Sequence, residues 1–497
     1  MKYLLGLDIG SSSVKAALLD AEKGKPVASA FSPASEMPML AVKPGFAEQD
    51  PEMWWNELLN AMKDLQRQVS FKGDDIVAIG ISYQMHGLVC VDDQSKPLRP
   101  SIIWCDSRAV EIGQNAFIKI GKDYSLSNFL NSPGNFTASK LKWVKENEPD
   151  LFKKIKKVML PGDYIALKLT GQINTTVSGL SEGILWNFKK EKIAEELLEH
   201  YGIDKKLLSP LTPTFGEQGR LNKPAAQLLN LKEGTPVTYR AGDQPNNAWS
   251  LNVLQPGEVA ATAGTSGVVY AVTDKVSYDT ASRVNTFVHV NHLPDKPRYG
   301  VLLCINGTGI LNSWLRKNFF AGLSYDEINK IANDSPIGSA GLYFYPFGNG
   351  AERVLENKDT GGFMEGLQFN QHQSSHIARA AQEGIVYSLQ YGMEVFHSMG
   401  ISPSVVRAGK ANMFLSPLFR EAFANTTGCS IELFNTDGAI GAARAAGVGV
   451  GYYSNFAESF KGMEKLMSVE PEKDKQKKYK DSYENWKEGL NKFLKNH

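Results

Sequence analysis

The sequence predicts an α/β fold made of two similar halves, and three observations carry that prediction. Apolar β-branched runs alternate with stretches of helical spacing along the chain. The opening, Tyr3-Leu-Leu-Gly-Leu-Asp8-Ile-Gly10-Ser-Ser-Ser-Val14-Lys15-Ala-Ala-Leu-Leu-Asp20, reads as a strand, a Gly/Ser turn and a second strand. The pattern returns near Val259 as Val-Ala-Ala-Thr-Ala-Gly264-Thr265-Ser266-Gly267-Val-Val-Tyr-Ala-Val. Two half-chains that each begin near a hydroxyl-lined turn point to a duplication, and so to two similar α/β domains facing each other across a cleft. Two unrelated strand-turn-strand units are the alternative on pattern alone.

The elements follow in order. Residues 51–69 have helical spacing with Pro51 near the start, where a missing N–H costs nothing. Ile76-Val-Ala-Ile-Gly-Ile-Ser82 suits a buried strand, and Pro236 to Tyr239 is strand-like. A long helix is expected over 377–399, ending before Gly400, with a strand over 404–407. Gly447-Val-Gly449-Val-Gly451 lacks the spacing of a dinucleotide fingerprint and reads as close helix packing or a C-terminal turn. From Glu470 the tail is Lys/Glu-rich, with Tyr479, Tyr483, Trp486, Leu490, Phe493 and Leu494 on one helical face. It is expected to dock on the body, because its acidic residues offset much of the lysine charge.

Composition bounds the function. The 497 residues suffice for two large domains or three smaller ones, and 42% hydrophobic with 22% charged residues is ordinary for a globular protein. With 54 basic and 53 acidic residues the net charge is +1, so no global field draws the chain to nucleic acid or acidic lipid. Any anionic ligand must be met locally. No window approaches the roughly 20 uncharged apolar residues of a membrane helix. Cys90, Cys105, Cys304 and Cys429 are scattered, with neither a CxxC pair nor zinc spacing. A reducing compartment is therefore expected, and the cytoplasm as location, since the N-terminal apolar run reads as a strand rather than a signal peptide.

Several residues could carry chemistry. Asp8, at a strand end before Gly10, Ser11, Ser12 and Ser13, could hold a hydrated magnesium ion while the turn donates to phosphate; capping of a tight turn is the competing role. Gly264 and Thr265 repeat the arrangement, and two such turns suggest a nucleotide gripped from both sides. No G-x-x-x-x-G-K-[ST] occurs, which excludes a P-loop. Asp243, beside Gly242 after a strand, is well placed as a general base, with structural capping as the competing role. Gln84-Met85-His86-Gly87 follows another strand end and could read sugar hydroxyls. His289/His292 and His372/His376 lack a third metal ligand, and no G-x-S-x-G, H-R-D or D-F-G string is present.

Together these strings resemble the FGGY family of carbohydrate kinases, and within it the branch that acts on D-xylulose. The similarity runs to about Gly451. Leu7-Asp8-Ile-Gly10-Ser-Ser looks like the family's first phosphate motif, and Ala47-Glu48-Gln49-Asp50-Pro51 with Trp54-Trp55 resembles its E-Q-D-P stretch. Gln84-Met85-His86-Gly87, Ile103-Trp104-Cys105-Asp106-Ser107-Arg108, Asn135-Phe136-Thr137-Ala138 and Leu160-Pro161-Gly162-Asp163-Tyr164 stand in the family's order. Arg407-Ala408-Gly409-Lys410-Ala411-Asn412 is closer to glycerol kinases, as is Gly242-Asp243-Gln244, and Pro245-Asn246-Asn247 replaces the small residues common in the xylulose branch.

What the resemblance implies is two actin-like, ribonuclease-H-like ATPase domains with a cleft between them. The N-terminal one (1–245) would carry the sugar and the first phosphate turn, and the C-terminal one (246–497) ATP and the helical tail. Asp243 falls on the catalytic base and Asp8 on the metal-associated aspartate, which holds magnesium through water. Met85, His86, Asp106, Asp243 and Gln244 fall on the sugar side. Gly10, Ser11, Ser12, Ser13, Gly264, Thr265, Gly309, Gly409 and Asn412 fall on the nucleotide side. The implied reaction is ATP- and Mg2+-dependent phosphorylation of a ketopentose, D-xylulose to D-xylulose 5-phosphate. Another FGGY substrate (L-xylulose, ribulose, a tetritol or glycerol) is the alternative, and an actin-like ATPase switch or chaperone the remote one. A small-molecule sugar is the expected partner, with no nucleic acid and no membrane; a homodimer rests on the resemblance alone.

Overall fold

The computed structural model describes residues 1–496, and the chain forms two compact units. The first comprises Met1–Asn252, Phe287–Tyr299 and Thr436–Met463; the second comprises Val253–Thr286, Gly300–Asn435 and the chain from Glu464 onward. The chain thus returns twice to the first unit after leaving it.

The first unit is built on a six-stranded sheet in the order Phe215–Arg220, Pro236–Gly242, Ile76–Tyr83, Tyr3–Ile9, Val14–Asp20, Pro26–Ser32. Its three N-terminal strands form an antiparallel meander, while Ile76–Tyr83 runs parallel to both Tyr3–Ile9 and Pro236–Gly242. Parallel strands covered on both faces need near-continuous apolar runs, and Ile76-Val-Ala-Ile-Gly-Ile supplies one. Helix Pro51–Gln68 covers one face with Trp54, Trp55, Leu58, Met62 and Leu65 buried; Asp50 caps it by accepting from the Glu52 N–H. Helix Gly438–Gly449 covers the other face. It lies so close that a Cβ on Gly6 would come within 1.8 Å of the Ala439 carbonyl oxygen, and one on Gly80 within 2.0 Å of that of Ala442. Gly447 and Gly449 are packed equally tightly, and Gly451 takes a φ of +75° in the turn that follows.

The second unit holds a seven-stranded sheet in the order Asn285–Val288, Tyr299–Ile305, Gly267–Thr273, Val259–Ala263, Val405–Gly409, Ser430–Phe434, Lys465–Val469. Again an antiparallel hairpin, Val259–Ala263 with Gly267–Thr273, is followed by two strands parallel to its first member. Each sheet is therefore hairpin, third strand, then two parallel strands on the opposite side, the duplication that the repeated turns suggest. Helix Ser374–Ser398 crosses this unit and strand Val405–Gly409 follows it, as the periodicity predicts. The C-terminal helix Lys473–Asn496 buries Tyr479, Tyr483, Trp486 and Leu490, and the Trp486 indole donates to the Phe344 carbonyl at 2.9 Å. Among the described residues no helix is long and apolar enough to cross a membrane.

Candidate active site

Asp8 stands next to last in strand Tyr3–Ile9, opposite Lys15 across the hairpin and beside Ser82 of the parallel neighbour. The turn after it is closed by the Gly10 N–H donating to the Ser13 carbonyl at 3.0 Å. It is braced from outside, where the Ser12 carbonyl accepts from the Met37 N–H at 2.8 Å and that of Ser11 from the Gln49 amide at 2.7 Å. The Asp8 carboxylate rests on the first turn of helix Gly438–Gly449, where a Cβ on Gly438 would lie 2.4 Å from its Oδ2. Asp437 caps that helix, accepting from the Ile440 N–H at 3.0 Å, and is ion-paired with Lys15. Burial holds the Asp8 carboxyl above its usual range, with the Asp437 charge adding to it and Ser82 and Lys15 opposing.

Asp243 is the first residue of helix Asp243–Ser250, directly after strand Pro236–Gly242. That strand runs three residues beyond the predicted Tyr239. Arg240, the residue after the predicted strand, is fully buried and ion-paired to Asp163 at 2.9 Å, and the ladder continues past it. Gly242 is required: a Cβ there would sit 2.4 Å from Glu182 Oε2 and 2.5 Å from Met85 Cγ. Burial pushes the Asp243 carboxyl up to about 7, the Asp8 charge reinforces it, and the Gln244 backbone and side chain pull it back. Glu182, fully buried and close to Asp243, is driven well above the ordinary carboxyl range by burial and by that neighbouring charge.

Asp8 and Asp243 open on one cavity of about 380 Å³, walled further by the Ser11–Ser13 turn, Lys15, Gln84 and Trp104. A carboxyl directly after a strand end, a second carboxyl in the same cavity, a turn rich in N–H and hydroxyl donors and a lysine together suit transfer of a phosphoryl group to a hydroxyl.

Met85, His86, Asp106 and Gln244, expected on the sugar side, are not among the residues that line this cavity. Met85 is buried against Gly242, and His86, at a φ of +63°, has its Nδ1 2.9 Å from the Glu182 carbonyl and its ring against Phe136 and Phe287. Asp106 is fully buried with its carboxylate engaged. Its Oδ2 accepts from the Ala47 N–H at 2.6 Å and from Arg108 Nη2 at 2.7 Å, and its Oδ1 from the Arg108 N–H at 2.9 Å. Arg108 in turn stacks on Phe46, 3.7 Å from the ring centre.

Of the residues expected on the nucleotide side, Gly264, Thr265, Gly309 and Asn412 lie together in the second unit. The Gly309 N–H donates to the Gly264 carbonyl at 2.9 Å and the Ile310 N–H to that of Thr265 at 3.1 Å; a Cβ on Gly264 would stand 3.5 Å from the Asn412 amide nitrogen. Gly409 ends its strand two residues before Ala411, whose N–H it accepts at 2.8 Å. Glu352, buried and pushed up to about 8, braces the approach by accepting from the Asn306 N–H at 2.9 Å.

Residues 3–248 match the N-terminal domain of the FGGY family of carbohydrate kinases, and residues 259–450 its C-terminal domain. The chain belongs to the FGGY family. Xylulose kinase from Escherichia coli K12 is 31% identical over 450 residues, 89% of this chain and 89% of that protein. Among solved structures, the ligand-bound xylulose kinase of Lactobacillus acidophilus has a TM-score of 0.89 at 24% identity, with 99% of this chain and 98% of that one covered. Gluconate kinase of the same organism has a TM-score of 0.88 at 24% identity with the same coverage. The fold they share is that of two actin-like, ribonuclease-H-like domains. This FGGY protein is thus a carbohydrate kinase, an ATP-dependent phosphotransferase acting on a sugar.

Of the residues that line the cavity, the sequence reading named Asp8, Gly10, Ser11, Ser12, Ser13 and Asp243 and did not single out Lys15 or Phe31. Gln84 and Trp104 stood inside strings already singled out, and Lys15 faces Asp8 by the hairpin's register, a signal readable from the turn length. Glu182 and Asp437 had no local signal; each reaches the site through a distant helix. Among the described residues no three His, Cys, Asp or Glu side chains are grouped to hold a metal directly. The donor set at Asp8, one carboxylate beside a phosphate-suited turn, instead fits an ion that keeps most of its water, as magnesium does.

Proposed function

We propose that this kinase transfers the γ-phosphoryl group of ATP to the terminal hydroxyl of D-xylulose, yielding D-xylulose 5-phosphate and ADP. The observation that carries the reading is the single cavity on which Asp8, Asp243 and the Ser11–Ser13 turn converge. The choice of sugar is supported by the xylulose kinase named above and by the Gln84-Met85-His86-Gly87 string beside the cavity.

In the proposed reaction the sugar oxygen attacks the γ-phosphorus, the bond to the β,γ-bridging oxygen breaks, and the hydroxyl proton passes to Asp243. Alignment carries most of the barrier reduction, and a carboxyl raised to about 7 can accept the proton late in the transfer. Asp8 would hold magnesium through water, and the ion when bound neutralises phosphate charge. Lys15 and the Ser11–Ser13 turn would meet the transferring group in the N-terminal domain; Gly264, Thr265, Gly309, Gly409 and Asn412 would hold the nucleotide in the C-terminal one. Met85, His86 and Gln244 would define the sugar, with Asp106 bracing their wall. A cytoplasmic location belongs to the same reading and agrees with four cysteines that are all thiols.

The test is an ADP-release assay with Mg-ATP over D-xylulose, L-xylulose, D- and L-ribulose, erythritol and glycerol, with Asp243→Ala in parallel. A D-xylulose rate far above the others that vanishes in the variant is the expected result. Preference for another polyol would discard the xylulose assignment, and ADP release indifferent to every sugar would discard the site.

A further inference from the structure

Lys140 is a fully buried lysine that none of the chemistry above uses. It lies in helix Thr137–Asn147, and its Nζ donates to two main-chain carbonyls, that of His86 at 2.9 Å and that of Ile103 at 2.8 Å. The two carbonyls belong to two different strings, Gln84-Met85-His86-Gly87 and Ile103-Trp104-Cys105-Asp106. Gln84 lies two residues before the first and Trp104 one residue after the second, and both side chains face the cavity of Asp8 and Asp243. The ammonium therefore adds a second tie between two backbones that an antiparallel bridge, Leu88 with Ile102, already joins close by, and it is the tie on the side nearer Gln84 and Trp104. His86 takes a φ of +63°, an uncommon conformation for a non-glycine residue, and the Lys140 bond to its carbonyl helps to hold it there.

We propose that Lys140 is a positioning residue for the sugar: its ammonium clamps the His86 and Ile103 carbonyls and so sets the spacing of the sugar-facing walls. The inference rests on the sugar-kinase reading of this cavity. The surroundings agree with it. Burial lowers the amine to about 7, with Asp106 and Cys105 opposing that fall and Arg108 adding to it, so the two carbonyl bonds are what make an ammonium tolerable there. A lysine needed only to fill space would be replaced at less cost by an apolar chain, whereas a clamp needs donors aimed at two acceptors.

The experiment uses the full-length enzyme as Lys140→Met, which keeps length and removes the donors, and as Lys140→Arg, which restores donors. Steady-state KM is measured separately for sugar and for ATP, together with ATP hydrolysis in the absence of sugar and the thermal unfolding midpoint. The clamp predicts a sugar KM raised about tenfold or more in Lys140→Met and partly recovered in Lys140→Arg, because losing alignment of the walls weakens oriented binding. The KM for ATP and the sugar-free hydrolysis should stay within about twofold, since transfer to water does not use the sugar walls. An unchanged sugar KM, or equal rises in both KM values, overturns it. So does failure of both variants to fold, which would make the amine a strut of the core. A wild type inactive on every sugar would defeat the reading of the cavity; an active wild type indifferent to Lys140 would defeat only this inference.

Discussion

The two hairpin turns share a topology and differ in chemistry. In the first, Asp8 stands two residues before Gly10, and the cavity it faces also holds Asp243 and Lys15. In the second, the position two residues before Gly264 is Thr262, and the neighbourhood is made of backbone groups, Gly309 and the Asn412 amide. The same strand-turn-strand frame thus supplies ionisable groups once and neutral donors once. A phosphate can be gripped by either, but the paired carboxylates Asp8 and Asp243 stand at the first, and the proposed bond-making chemistry is assigned there for that reason.

The sharpest way to break this contrast is Asp243→Ala. A loss of about 10²–10⁴ in kcat is expected, the range a positioned acid-base group contributes, with ATP affinity retained. Near-normal turnover by folded protein would move the chemistry elsewhere.

The pH profile comes next in size. With the Asp243 carboxyl raised to about 7, the deprotonated acceptor is lost as pH falls through that value. The kcat/KM for the sugar should drop about tenfold per pH unit on the acid side, because this ratio reports the free enzyme. The linked stability has the opposite sense. The unfolded carboxyl ionises near 3.8 and the folded one near 7, so the folded state binds the extra proton between those values, and Asp243 favours folding at low pH. That contribution fades as pH rises toward 7. Chemical denaturation of wild type against Asp243→Asn across this window checks it; a gap between the two that does not change with pH would contradict the raised value.

Gly242→Ala tests the crowding behind the base. Its Cβ must displace either Glu182 or Met85, and overpacking of this kind costs about 1–3 kcal/mol. A lowered melting temperature accompanied by lost kcat is expected, while a neutral outcome would mean that this wall yields.

The crossed pair His86→Ala and Thr265→Val should have the smallest effects and separates the two regions most directly. His86→Ala is expected to raise KM for the sugar by the equivalent of about 1–3 kcal/mol, leaving that for ATP nearly unchanged. Thr265→Val should do the reverse, by about fivefold for one neutral hydrogen bond. Equal effects of either change on both substrates would erase the distinction between the turns.

Local signals were sufficient where the physics is local. Apolar runs, the Asp50-Pro51 helix start, the two hairpins and the amphipathic tail were all readable, because strand alternation, capping and turn chemistry act within a few residues. The ordered strings around Asp8, His86 and Asp243 marked the right strand ends for the same reason. The full reach of strand Pro236–Gly242 was not readable, since Arg240 extends it only through a buried partner, Asp163, many residues away. Nor was the environment of Asp8 and Asp243. Helix Gly438–Gly449 returns to the first sheet because Gly6 and Gly80 leave room for it, and Asp437 and Gly438 reach Asp8 by that route. The sequence by itself determined the α/β class and the two hairpin turns, whereas the repeated sheet order became visible only in the fold. The tertiary structure alone decided which carboxylates share a cavity, and hence their raised proton affinities, because burial and charge coupling depend on distance in space rather than along the chain.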